Sequence, residues 1–239
     1  MLALAVAMVP QMGASETVTV FAPSSLRDAL GDIATSYEAG TGDEVVLVFA
    51  ATSAVARQVA RGAPADVVLF ADQAWADWLV EQGTVGQTRP FAGNRLVLLG
   101  REDTPLSDPS QILSALGDGW LAMAQVDAVP AGRYGKAALQ SLGLWDAVSL
   151  QVVQAANVRA ALRFVERGEA VLGVGYASDL VALRALSLVY AFAPDSHPAI
   201  VYSGADVTPL GADFMDYLLT DVAQDSLVDW GFARLDVEQ

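Results

Sequence analysis

The sequence predicts an α/β fold, because strand-like and helix-like segments alternate along the chain and several helices begin directly after a strand. With 239 residues, 54% of them hydrophobic, the chain can bury a core large enough for one big domain or two lobes, which excludes disorder over most of its length. No internal repeat or low-complexity linker interrupts the alternation. Such a pattern implies a sheet covered by helices on both faces, with any ligand lying beyond the carboxyl ends of the strands, where helices start.

The elements follow in order. Leu2 to Val9 is an apolar run ending at Pro10-Gln11-Met12-Gly13-Ala14-Ser15, too short to span a bilayer. It resembles the apolar region of a secretory signal, with a buried strand as the other reading. Gly13 and Ser15 allow cleavage before Glu16, whereas cleavage after Ala14 would put Met12 where a small side chain is preferred. Val18 to Ala22 is a short apolar strand, followed by a helix from Leu26 to Tyr37 and then Gly40 and Gly42, which makes a βα unit. Glu44 to Phe49 is the next strand, Ala54 to Arg61 a helix stopped by Gly62, and Asp66 to Phe70 a buried strand. Gln73 to Glu81 is a helix ended by Gly83, and the strand Arg95 to Leu99 follows Gly93-Asn94. The alternation continues through Leu121 to Gln125, Tyr134 to Leu142, Leu150 to Gln154, Arg159 to Arg167, Ala170 to Tyr176, Ser178 to Ala185 and Leu188 to Phe192.

Four helix starts share one chemistry: Ser24-Ser25-Leu26, Thr52-Ser53-Ala54, Pro130-Ala131-Gly132 and Asn157-Val158-Arg159. Each puts a capping residue or a first-turn proline ahead of a good helix, where unpaired backbone N–H groups and the positive end of the helix dipole favour an anion. Taken singly, these are ordinary caps, and Asp28 three residues after Ser25 suits a capping box. Their convergence is what points to an oxyanion held by neutral donors. Tyr176, at the end of an apolar strand, would alone be a core tyrosine. Arg27, Arg133 and Arg159 lie in first helical turns, which the dipole disfavours, and read as arginines paired with carboxylates or as an outer ring around the pocket, not as ligands.

Composition excludes other classes. A net charge of -15 argues against nucleic acid and means that an anion site must be built locally. One histidine, His197, and no cysteine make a zinc or redox-metal site poor. No Gly-x-Ser-x-Gly elbow is present, so a hydrolase would need His197 to reach Ser25 or Ser53. A pocket of donors alone also selects, since a protonated oxyanion would set its own O–H against donors, which favours molybdate, tungstate or sulfate over phosphate. The lack of cysteine excludes a lipid-anchored start, so an exported chain is expected free in a Gram-negative periplasm.

Five blocks carry a resemblance in order from about Thr17 to the C-terminus: Val20-Phe21-Ala22-Pro23-Ser24-Ser25-Leu26, Ala63-Pro64-Ala65-Asp66, Val129-Pro130-Ala131-Gly132-Arg133-Tyr134, Asn157-Val158-Arg159-Ala160-Ala161-Leu162 and Gly173-Val174-Gly175-Tyr176-Ala177-Ser178-Asp179. This set is similar to the periplasmic molybdate-binding proteins of molybdate ABC transporters. The resemblance implies a two-lobed, type II periplasmic binding protein, each lobe a mixed sheet flanked by helices, with two hinge crossings. Lobe 1 would take residues 16–92 and 202–239, lobe 2 residues 93–201, and residues 1–15 a signal remnant. It further implies a monomer that captures molybdate or tungstate and delivers it to a membrane ABC permease, with no catalytic residue, no cofactor and no direct protein ligand to a metal ion. Sulfate or another tetrahedral oxyanion is the alternative ligand, and an exported hydrolase the alternative class. Position by position, the resemblance makes Ser25 a hydroxyl donor, Thr52 the counterpart of a frequent family serine, Ala131 and Val158 backbone N–H donors, and Tyr176 a phenol donor. Thr52 keeps the hydroxyl but adds a methyl and restricts χ1, leaving Ser53 as the other candidate. Pro23 also departs from the pattern, as does the return strand near Tyr202-Ser203-Gly204, which is expected to be shortened.

Overall fold

The computed structural model describes residues 15–235; the signal-like run Leu2 to Val9 lies outside the described residues. The chain runs through β1 (Thr17–Pro23), a 3₁₀ turn (Ser24–Leu26), α1 (Arg27–Thr41), β2 (Glu44–Ala50), α2 (Thr52–Ala60), β3 (Val67–Phe70), α3 (Gln73–Glu81) and β4 (Arg89–Gly93). It continues through β5 (Leu96–Gly100), α4 (Ile112–Leu116), β6 (Leu121–Ala124), α5 (Pro130–Ser141), α6 (Trp145–Val148), β7 (Val152–Ala155), α7 (Val158–Glu166), β8 (Leu172–Tyr176), α8 (Ala177–Ala182) and β9 (Ser187–Ala191). The last elements are β10 (Val201–Asp206), α9 (Pro209–Tyr217) and α10 (Asp221–Asp229).

The strands form two mixed sheets, in the orders β2-β1-β3-β10-β4 and β7-β6-β8-β5-β9, so the molecule has two α/β lobes. In each sheet the first three strands are parallel and the fourth is antiparallel to the third. That fourth strand follows a crossing: β5 comes straight from β4 through Asn94-Arg95, and β10 returns from β9 through residues 192–200. The two lobes therefore repeat one topology without repeating a sequence. The parallel strands β3, β6 and β8 are buried along their whole length, as strands covered on both faces must be, whereas edge strand β2 is only partly buried.

One hydrophobic cluster runs through both lobes, from Val18, Leu30 and Ile33 to Leu98, Leu121 and Leu162, and includes Tyr176 and Tyr202. A smaller one, built on Phe21, Val55, Phe70 and Leu79, packs under α2 and α3 on the other face of the first sheet.

Several boundaries differ from the sequence reading. The first helix runs on to Thr41 and stops at Gly42, whose φ of 82° only glycine adopts readily and whose N–H bonds Glu38 O at 2.9 Å. Gly93 and Val201, assigned above to lobe 2, pair with each other in the first sheet, because β4 and β10 keep their ladder to that point. The return strand is not short: β10 has six residues and bonds both β3 and β4, with a register shift between Tyr202 and Ser203. Strand β4 and helices α4, α6, α9 and α10 carried no sequence prediction; α4 and α6 have only five and four residues, too few for a helical period to show.

Candidate functional site

At the carboxyl ends of β1, β2, β6 and β7 the chain turns into a helical segment, and β8 ends at Tyr176. These five junctions put Ser25, Thr52, Ala131, Val158 and Tyr176 around one small cavity between the two sheets. All five are buried, between 1% and 4% exposed. Ser25 and Thr52 come from lobe 1, the other three from lobe 2. The structure thus brings together the five residues expected to hold the ion; Ser53, the other hydroxyl candidate, is buried but does not line the cavity.

Each junction has a local cause. Thr52 and Val158 are the first residues of their helices, so their N–H groups have no intrahelical partner. Pro130 opens α5 and has no N–H, which makes Ala131 the first donor of that helix. Asn157 caps α7, its side chain accepting from Ala160 N at 2.9 Å. Gly132 lets α5 start close against the end of β6, since a Cβ there would stand 2.4 Å from the carbonyl oxygens of Ala124 and Gln125.

Three hydroxyls complete the lining. Thr52 Oγ1 accepts from Ala71 N at 3.3 Å, which leaves its proton free to be given. The Tyr176 hydroxyl is buried without a hydrogen-bond partner within the protein. Burial pushes its pKa well above the ordinary value, with Tyr202 and Tyr134 adding to the effect, so it stays a protonated donor. Ser25 Oγ lies 2.8 Å from the Tyr202 hydroxyl. This overturns the expected capping box with Asp28: the 3₁₀ turn delays α1 to Arg27, so Ser25 sits inside the turn and not at a cap.

No lysine or arginine lines the cavity. Arg159 instead bridges the lobes, with Nε 2.5 Å from Asp179 of α8 and a terminal nitrogen 2.7 Å from Asp28 of α1. Burial alone would lower its pKa, but the two carboxylates hold it above the ordinary arginine value. Asp179 is fully buried and accepts from Tyr176 N at 3.0 Å; burial pushes its pKa up while Arg159 pulls it down. On another side of the cleft, Arg133 of α5 pairs at 2.8 Å with Asp72, which also caps α3 through Trp75 N. Trp75 Nε1 and Tyr134 Oη cross the same gap to the carbonyls of Ala128 and Ala71, at 3.1 and 3.4 Å. Arg27 lies over the Phe49 ring, 4.5 Å from its centroid. The expected pairing with carboxylates is met by Arg133 and Arg159, whereas Arg27 stacks on an aromatic ring instead.

His197 does not meet Ser25. Its Nδ1 lies 2.8 Å from Pro198 O and its ring stands 5.9 Å from that of Tyr134, while the serine is engaged by Tyr202. Among the described residues His197 makes no hydrogen bond to Ser25 or to Ser53, so neither serine–histidine pair of the hydrolase alternative is formed. Among the described residues, no cluster of His, Cys, Asp and Glu is arranged to hold a metal ion.

Sequence reasoning missed Tyr202, Tyr134, Asp72 and Asp179 as neighbours of the site. Asp179 was legible, being a carboxylate three residues after Tyr176 that returns to its N–H. Tyr202 carried no local signal, since it lies 177 positions from Ser25.

Comparison with known proteins agrees with this geometry. Residues 18–233 match the family described as bacterial extracellular solute-binding protein. The chain is 39% identical over 227 residues to the molybdate-binding protein ModA of Escherichia coli K12, covering 90% of this chain and 88% of that one. It is 37% identical over 232 residues to ModA of Haemophilus influenzae, covering 92% and 91%. Among solved structures, the periplasmic molybdate-binding protein of Azotobacter vinelandii superposes with a TM-score of 0.84 at 21% identity, over 92% of this chain and 100% of that one. The sulfate-binding protein SubI of Mycobacterium tuberculosis gives 0.77 at 18% identity, over 93% and 88%.

Proposed function

The chain belongs to the bacterial extracellular solute-binding proteins, and from that premise we propose that it captures molybdate or tungstate between its lobes. The observation that carries the reading is the convergence on one buried cavity of helix-start N–H groups at Thr52, Ala131 and Val158 with the hydroxyls of Ser25, Thr52 and Tyr176, and of no cation. The ModA relatives at 37–39% identity support the choice of ion.

Neutral donors suffice. A hydrogen bond to a charged partner contributes roughly 1.5–3 kcal/mol and a helix end up to about 2 kcal/mol, so a handful outweigh ordering costs and reach the roughly 8 kcal/mol of micromolar binding. The protein works by binding alone, with no reaction and no cofactor. An anion touching Ser25 and Thr52 on one side and Ala131, Val158 and Tyr176 on the other favours closure of the lobes. The filled protein, a monomer exported by its N-terminal apolar stretch into the periplasm, delivers the ion to a membrane ABC permease. Titration calorimetry with molybdate, tungstate, sulfate and phosphate tests the reading. Molybdate and tungstate should bind one site with similar affinity and phosphate should fail; tight phosphate binding or equal preference for sulfate would refute the specificity.

A further inference from the structure

Tyr202 stands outside the set of residues that face the ion, on the return strand β10, yet it is fully buried and its hydroxyl touches Ser25. A fully buried hydroxyl needs an acceptor for its proton, and among the described residues the partner that the Tyr202 hydroxyl has is Ser25 Oγ. Were Ser25 the donor, the Tyr202 proton would be left buried without an acceptor, so Tyr202 gives its proton to Ser25 Oγ. Ser25 then holds a proton that must point away from Tyr202, and the cavity is where its side chain faces.

Resting on the oxyanion-binding reading above, we infer that Tyr202 is a positioning residue: its buried hydroxyl gives its proton to Ser25 Oγ and so makes Ser25 a committed donor to the bound ion. The contact also serves selectivity. A free serine rotor can turn a lone pair to the P–O–H of hydrogen phosphate, whereas a rotor held by Tyr202 presents its proton and suits an oxyanion with no proton of its own.

The test is a double-mutant cycle of Tyr202→Phe and Ser25→Ala, read by titration with sodium molybdate and with sodium phosphate. Tyr202→Phe should weaken molybdate roughly tenfold, about the effect of one hydrogen bond, and should narrow the ratio of molybdate to phosphate affinity. In the Ser25→Ala background the same change should cost almost nothing, since there is no hydroxyl left to orient. A tyrosine that only fills the core would give additive losses and an unchanged ratio, and that result overturns the inference, as does wild-type binding by Tyr202→Phe. If Tyr202→Phe does not fold, Tyr202→Met replaces it in the cycle, filling the space without a hydroxyl, with the same non-additivity expected and the same additive result as refutation. An unmutated protein that fails to bind molybdate overturns the functional reading itself, a failure distinct from that of the relay.

Discussion

Asp28→Asn isolates the bridge between the lobes from the site it surrounds. Asp28 is on α1 of lobe 1, while Arg159 and Asp179 both belong to lobe 2, so of the two contacts of Arg159 opening the cleft breaks the one with Asp28. The pair is 2.7 Å apart, with side chains 13% and 32% exposed, which places it between surface and interior. Two unit charges about 4 Å apart at an effective dielectric of 20 attract by about 4 kcal/mol, and desolvation and side-chain ordering reduce this to an expected 1–2 kcal/mol net, or roughly 5–30-fold. Asp28→Asn should therefore speed dissociation of molybdate by about that factor, measured by displacement in a stopped-flow instrument. Removing one negative charge near the cleft opposes this by speeding association, but only at low salt, because the Debye length is about 10 Å at 0.1 M. The melting temperature of the ligand-free protein should hardly move. Arg159→Gln is the contrasting change: it strands Asp179, which is 0% exposed, and a broken buried pair costs about 3–5 kcal/mol of fold stability. An unaltered dissociation rate in Asp28→Asn at both low and high salt would show that the bridge does not hold the lobes together.

Ser25→Ala should weaken molybdate by roughly 1.5–3 kcal/mol in titration calorimetry, since it removes a donor to a charged ligand. Ala131→Gly and Val158→Ala should change affinity little, whereas Val158→Pro should cost several kcal/mol by deleting an N–H; equal effects of the two Val158 changes would sink the backbone-donor model. His197→Ala should leave affinity within about 1 kcal/mol of the parent, and loss of binding would make it a site residue. Affinity should stay level from about pH 7 to pH 9, because burial holds the Tyr176 and Tyr202 hydroxyls protonated beyond the ordinary tyrosine range; a fall following a group titrating below pH 9 would contradict this. For the same reason these two tyrosines should cost the fold stability above about pH 10, where an unfolded chain releases protons that the folded one keeps. Small-angle scattering should show compaction when molybdate is added, and an unchanged radius of gyration would count against closure unless the free protein is already closed.

What the sequence disclosed was local. Helix starts announce themselves within four residues, so Pro130 at the head of α5 and Asn157 capping α7 were legible, and with them the backbone donors Ala131 and Val158. The strand of five buried residues ending at Tyr176 was legible for the same reason. What stayed hidden depends on contacts between distant segments. Asp28 looked like a partner for Ser25 three residues away, but the 3₁₀ turn rotated it toward Arg159, 131 positions on by residue number. Strand β4 escaped notice because its sequence, Arg-Pro-Phe-Ala-Gly, has no alternation and a proline that only an edge strand tolerates.

The shared topology of the two sheets explains why the site lies where it does. Strand β1 occupies the place in its sheet that β6 has in the other, and β2 the place of β7, so Ser25 corresponds to Ala131 and Thr52 to Val158. Two like sets of helix starts face each other across the cleft, and an ion between them meets positive helix ends from both sides, although the whole chain carries a net charge of -15. Strands β3 and β8 are the third equivalent pair, and there the lobes diverge. At β8 the chain places Tyr176, whose free hydroxyl reaches the cavity; at β3 it places Ala71 and then Asp72, whose carboxylate is turned aside to cap α3 and to bind Arg133. A carboxylate aimed inward from that place would repel the ion and accept a proton from hydrogen phosphate. Keeping Asp72 occupied by Trp75 N and Arg133 is thus part of what leaves the cavity with donors alone.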